Sequence, residues 1–349
     1  MSSDAQSLQS ASESFAAAPA TPAAPDTPAA HEPESKGAVI AAVAANIGVA
    51  IVKFIASAIS GSSAMFSEAI HSLVDSGNGI LLLIGMRKAQ RKPDFSHPFG
   101  YGQEVYFYTM IVALAIFFVG GGLAIMEGLE TLEHALAGAQ EIGDPLVGYI
   151  VLGLAIIIEG ASLRVALKTF NRARGSMKPF AFIKQAKDPS VFTVVLEDSA
   201  AELGLLFALV GTILTQVTRN AVFDAAASIL IGLLLCAVAA TLLVETKSLL
   251  VGEGLNPDQV SRMRDLVEKN PAVLECGRIL SVYMGPSSLV VCTDVTFAPG
   301  LDAITVERAT DAIEASIKQH FPETQQVFIE IESLRECLRQ QQQQQAWEE

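Results

Sequence analysis

The chain has 349 residues, of which 51% are hydrophobic and only 17% charged, where soluble domains carry about 25% charged residues. Acids outnumber bases 37 to 23, a formal charge of −14, and that excess repels phosphate backbones. Composition excludes a general nucleic-acid binder and favours a membrane protein.

The first segment, residues 1–36, is rich in Ala, Ser and Pro and carries a net −4. It has no basic start followed by an apolar stretch, so no signal peptide is expected. Such a composition buries too little to order itself, which predicts a disordered tail. The four cysteines, Cys236, Cys276, Cys292 and Cys337, show no CxxC spacing and read as reduced thiols facing a cytosol.

Six apolar stretches follow, at 38–59, 64–86, 105–129, 146–167, 191–217 and 221–244. Each is long enough to cross about 30 Å of hydrocarbon at about 1.5 Å per residue. The loop after the second carries Arg87, Lys88, Arg91 and Lys92. The loop after the fourth carries Lys168, Arg172, Arg174, Lys178, Lys184 and Lys187. The other connections are nearly bare of bases, so the positive-inside rule puts both chain ends in the cytoplasm.

Beyond residue 251 the texture is that of a soluble domain. A helix is expected over 256–269, with Asn256 as N-cap and Pro257 in the first turn. Strands at 279–284 and 289–297 flank a Gly285-Pro286 turn. An amphipathic helix over 302–320 and a strand at 326–331 complete an αββαβ order, a small α/β sandwich. The run Gln340–Gln345 lies in a low-complexity tail, 336–349.

The spans contain Glu68, His71, Asp75, Glu159, Glu197, Asp198 and Glu202. An acid at a helix centre costs about 2.5–3.5 kcal/mol on insertion scales, so the group reads as a polar site facing the bundle interior. His71 and Asp75 share one helix face, as do Asp198 and Glu202. Counting from the span ends, His71 lies roughly 11 Å and Asp75 roughly 17 Å below the outer surface. Asp198 and Glu202 lie roughly 11 Å and 17 Å above the inner one, and Glu159 falls at a similar depth. One imidazole and several carboxylates meeting near the midplane suit a divalent first-row cation such as Zn²⁺.

Three motifs add to this pattern: Ser67-Glu-Ala-Ile-His71-Ser-Leu-Val-Asp75-Ser, His97-Pro-Phe-Gly-Tyr-Gly102 and Leu250-Val-Gly-Glu253. With six spans, they make the chain resemble the cation diffusion facilitator family from about residue 37 to 334. The Glu197-Asp198 pair of span five is similar to the zinc transporter nine-type subgroup. The resemblance implies an α-helical membrane protein with a six-helix transport domain (37–251) and a cytoplasmic ferredoxin-like dimerisation domain (252–335). It implies a homodimeric antiporter that exchanges Zn²⁺ or a related metal for protons, with no enzymatic activity and no cofactor beyond the transported ion.

The family's zinc site takes two ligands from span two and an HxxxD pair from span five. His71, Asp75 and Asp198 match it, but the histidine position is Val194. Glu202 or Glu159 is therefore expected to supply the fourth ligand, while Glu197 lies about 100° around the helix from Asp198 and is the weaker candidate. With an oxygen-rich donor set, Mn²⁺, Fe²⁺ and Co²⁺ stand beside Zn²⁺ as cargo. His71 is the expected proton carrier, since a free imidazole titrates near pH 6.5. Asp94 and His97 match a second family site in the loop after span two, where Tyr101 replaces a further histidine. The other reading of that loop is a solvated turn with a capping role. The rival to transport is a membrane scaffold or metal receptor whose buried charges are structural. A cell (inner) membrane is expected, with an organelle membrane as the alternative.

Overall fold

The computed structural model describes residues 36–137 and 146–332. The expected tails, 1–36 and 336–349, lie outside them except for Lys36, which begins the first helix. Five helices among the described residues are long and apolar enough to cross a membrane. They are α2 (Ser63–Ala89), α3 (Glu104–Leu136), α4 (Leu146–Arg174), α6 (Pro189–Thr218) and α7 (Val222–Val251). Before them runs α1 (Lys36–Ser60), whose 25 residues span about 37 Å at helical rise. A short helix in the basic loop, α5 (Pro179–Gln185), was not expected.

The helices overrun the expected spans. α3 continues to Leu136, seven residues past the apolar stretch, and its middle turn, Ile116–Gly122, is a π-helix holding three consecutive glycines. α7 runs on to Val251, where Gly252 adopts φ 121° and ends the helix, a left-handed conformation that favours glycine. Hydropathy marks where a span meets hydrocarbon, whereas the helix ends only where its backbone finds a cap.

α6 and α7 pack together, α3 lies along α7, and α6 also packs on α2 and α4. α4 is the least buried of the five spans. Large apolar side chains including Ile55, Phe118, Met126, Ile157, Val210 and Leu233 point outward. Such surface is costly in water and suits lipid, so the bundle is that of an integral membrane protein.

The C-terminal elements keep the expected αββαβ order: α8 (Pro257–Glu268), β1 (Val273–Gly285), β2 (Ser288–Phe297), α9 (Ala303–His320) and β3 (Thr324–Ile331). Asn256 caps α8 in a reciprocal box with Gln259, and the Asp302 side chain accepts from the Thr305 amide at the start of α9. β2 sits centrally, antiparallel to β1 and parallel to β3. β1 begins six residues before the expected strand. Its first half has register shifts opposite β2, and such bulges blur the two-residue alternation that a sequence reading uses. Met263, Tyr283, Val291, Ile313 and Ile317 form the core of this domain.

The domain is tied to the bundle through Lys187 of the loop before α6. Its Nζ donates to Glu253 Oε1 at 2.6 Å and lies 5.3 Å above the Tyr283 ring. Tyr106 at the start of α3 donates its hydroxyl to the Lys187 carbonyl at 3.1 Å. The Leu250-Val-Gly-Glu253 motif thus provides a helix stop and the acid that anchors the loop.

Candidate metal centre

The orientation of α2 is set at its first turn. Ser62 caps the helix by accepting from the Met65 amide at 3.2 Å. Asp224, in the first turn of α7, accepts from Ser62 Oγ at 2.6 Å and from the Ser63 amide at 2.6 Å. A carboxylate against exposed helix N–H groups is electrostatically favourable. One turn deeper, Ser67 and Ser228 join hydroxyl to hydroxyl, and Ser228 Oγ donates to the Ala124 carbonyl at 2.9 Å. These bonds link α2 to α7 and α7 to α3.

So held, α2 aims one polar stripe at its neighbours. Glu68, His71, Ser72, Asp75 and Asn78 recur at intervals of three and four, the spacing of one helix face. The imidazole of His71 is buried, and neither ring nitrogen has a hydrogen-bond partner. Its Nε2 stands 3.4 Å from Asp75 Oδ2. The other carboxylate oxygen of Asp75 is also buried and without a hydrogen bond. A buried polar atom left in this state costs about 1–3 kcal/mol.

Across from this pair, α6 presents its acids on two sides. Glu197 Oε1 accepts from Asn78 Nδ2 of α2 at 3.0 Å, while Asp198 Oδ2 accepts from Ser162 Oγ of α4 at 2.9 Å. Glu197 thus reaches α2 through Asn78. α6 packs on both α2 and α4, so its adjacent acids serve different neighbours. Val194, where the resemblance expects a histidine, is 41% exposed.

Two of the remaining acids, Glu68 and Glu159, gather around Lys53, a residue that the sequence reading passed over. Lys53 of α1 is fully buried. Its ammonium donates to Glu159 Oε1 at 2.6 Å, to Ser72 Oγ at 2.7 Å and to Glu68 Oε2 at 3.3 Å. Glu159, expected as a fourth ligand, thus has one oxygen committed to this lysine. Glu202 lies over Gly160, both its oxygens 3.6 Å from where a Cβ would stand, and its Oε2 has no hydrogen bond. The available signal was a lone Lys in an otherwise apolar stretch.

In the loop, both oxygens of Asp94 are engaged. Oδ1 accepts from the Ser96 and His97 amides at 2.9 Å, and Oδ2 from the Tyr101 hydroxyl at 2.7 Å. The Tyr101 hydrogen bond, with the His97 amide, holds the Asp94 carboxyl below the usual carboxylate range. The His97 and Tyr101 rings stack with centroids 4.1 Å apart. This geometry is that of a closed turn. In the C-terminal sheet, Asp294, Glu330 and Glu332 bring carboxylate oxygens within 4.8 Å of one another, and Arg278 Nε donates to Asp294 at 2.9 Å.

Comparison with known proteins gives a match to the family described as "Cation efflux transmembrane domain" over residues 39–251. A Xenopus laevis protein named proton-coupled zinc antiporter SLC30A9, mitochondrial, is 36% identical over 262 residues, 74% of this chain and 46% of the relative. Its Homo sapiens namesake is 35% identical over 248 residues, covering 70% and 43%. The chain thus spans less than half the length of these two relatives. A solved MamM CTD variant in its nickel form aligns at TM-score 0.21 and 14% identity, over 22% of this chain and 96% of that one.

Proposed function

The chain belongs to the cation efflux family, and from that premise we propose that it carries a divalent first-row metal ion, Zn²⁺ foremost, across a membrane in exchange for protons. The observation that carries this reading is the His71–Asp75 pair. Its imidazole nitrogens and one carboxylate oxygen are buried without hydrogen-bond partners, facing the acids of α6. An imidazole nitrogen and a carboxylate oxygen are donors that a divalent cation takes. Imidazole suits zinc, and the surrounding carboxylates also admit Mn²⁺, Fe²⁺ or Co²⁺.

The ligands we assign are His71 and Asp75 from α2 with Glu197 and Asp198 from α6, Asn78 and Ser162 orienting the latter two. Metal requires His71 neutral, so a proton arriving there competes with the ion and drives its release. Alternating access around this fixed centre then gives exchange. The names of the curated relatives support zinc, protons and an organellar membrane. The basic loops support placing both chain ends on one side of it. We further assign dimerisation to residues 252–335 and transport to 37–251. The Asp94–His97 loop serves as a structural turn in this reading.

The test is Zn²⁺ flux in proteoliposomes with and without a pH gradient. Asp75→Ala is expected to abolish flux, and an opposing proton gradient to accelerate it. Flux that survives Asp75→Ala refutes the centre and leaves the scaffold reading. Flux indifferent to the gradient refutes proton exchange.

A further inference from the structure

One turn along α2 from His71, the Lys53 group has the composition of a cation site. Two carboxylate oxygens and a hydroxyl, from α2 and α4, surround the ammonium at 2.6–3.3 Å. They use all three of its donors. One further oxygen of the same acids is free: Glu68 Oε1 belongs to a fully buried side chain and has no hydrogen bond.

A lysine whose task is only to tie α1 to α4 needs one acid. Here two acids from different helices, Glu68 of α2 and Glu159 of α4, meet a single positive charge. An oxygen-only set of this kind is what hard divalent cations take. Ser72, which accepts from Lys53, lies next to His71 in sequence and so adjoins the metal centre.

We propose that the Lys53 ammonium is a tethered cation that fills a second cation position on the transport path, between Glu68, Ser72 and Glu159. The inference rests on the His71–Asp75 centre being the transport site. An ion leaving that centre toward the α1–α2 end of the bundle takes Glu159 from the ammonium. The ammonium's return then clears the position and prevents the ion from settling there. Lys53 acts as a positioning residue, setting how many ions the path retains.

Ion counting tests this on the purified full-length protein in detergent, by equilibrium dialysis with Zn²⁺ alone. Wild type is expected to hold one ion per chain, lost in Asp75→Ala. Lys53→Met is expected to hold two, the second lost again in Lys53→Met/Glu159→Gln. Turnover in proteoliposomes should fall at least tenfold in Lys53→Met without a rise in KM. A single ion per chain in folded Lys53→Met overturns the proposal while leaving the centre intact. Failure of wild type to bind any Asp75-dependent ion overturns the transport reading instead. If Lys53→Met does not fold, Glu159→Gln decides: turnover lowered at unchanged KM supports the tethered cation, and wild-type turnover overturns it.

Discussion

Gly204 of α6 gives a sharp test of how the buried acids are seated. A Cβ at this position would lie 2.2 Å from Glu68 Oε1, while its contact with Ile231 at 3.8 Å is ordinary. Gly204→Ala gains about 1 kcal/mol of helix propensity. Against this, the carboxylate must retreat by about 1 Å, and forcing extra volume into a packed site costs about 1–3 kcal/mol. Retreat also disturbs the 3.3 Å contact with Lys53, which weakens a buried pair that is expensive to break. The expected net effect is a loss of about 1–2 kcal/mol, with the sign reversed once the carboxylate is gone. In a Glu68→Ala background, Gly204→Ala should be neutral or stabilising by up to about 1 kcal/mol. Thermal unfolding in detergent of the four members of this cycle measures the coupling, expected within about 0.5–3 kcal/mol. Equal effects of Gly204→Ala in both backgrounds would refute the view that the glycine makes room for Glu68.

Asn78→Leu removes the donor that orients Glu197 and is expected to weaken Zn²⁺ binding about 10–100-fold, as loss of an outer-sphere partner does. Unchanged affinity by calorimetry would remove Glu197 from the ligand set. For the loop, Asp94 has its carboxyl lowered by the Tyr101 hydroxyl and the His97 amide. A depressed folded value means that its contribution is present above the unfolded value near pH 3.9 and is lost as pH falls through the folded one. Hydrogen exchange at the His97 amide should therefore stay protected at pH 5 and open only in stronger acid. Tyr101→Phe should shift that opening to higher pH, and an unshifted profile would show that the hydroxyl does not hold the turn.

Much of the fold was legible because membrane helices and capped soluble elements announce themselves chemically. Six apolar stretches separated by alternating basic and bare loops located α1 to α4, α6 and α7, and Asn256-Pro257 located α8. What escaped was local or relational. α5 is a single seven-residue helix, too short for periodicity to register. The site was half legible. His71 and Asp75 stood out because a charge in hydrocarbon is costly, but Lys53 obeyed the same rule and was diluted by its apolar neighbours. Asp224 was absorbed into the end of a span, although it pins α2. Which of the α6 acids meets α2 depends on which helices flank α6, and helical spacing within one segment does not carry that information.

The charge balance acquires a spatial meaning from these placements. Between the ends of the chain, acids and bases nearly cancel at −2, yet they do not cancel locally. Most of the bases lie in or beside two loops, whereas the buried Lys53 makes both of its acidic contacts in the interior. A bundle needing only neutrality would pair each buried acid. This one leaves oxygens of Glu68, Asp75 and Glu202 without hydrogen bonds. Such a deficit of positive charge is what a mobile cation would supply, and a fixed ammonium keeps that deficit from holding the cation permanently.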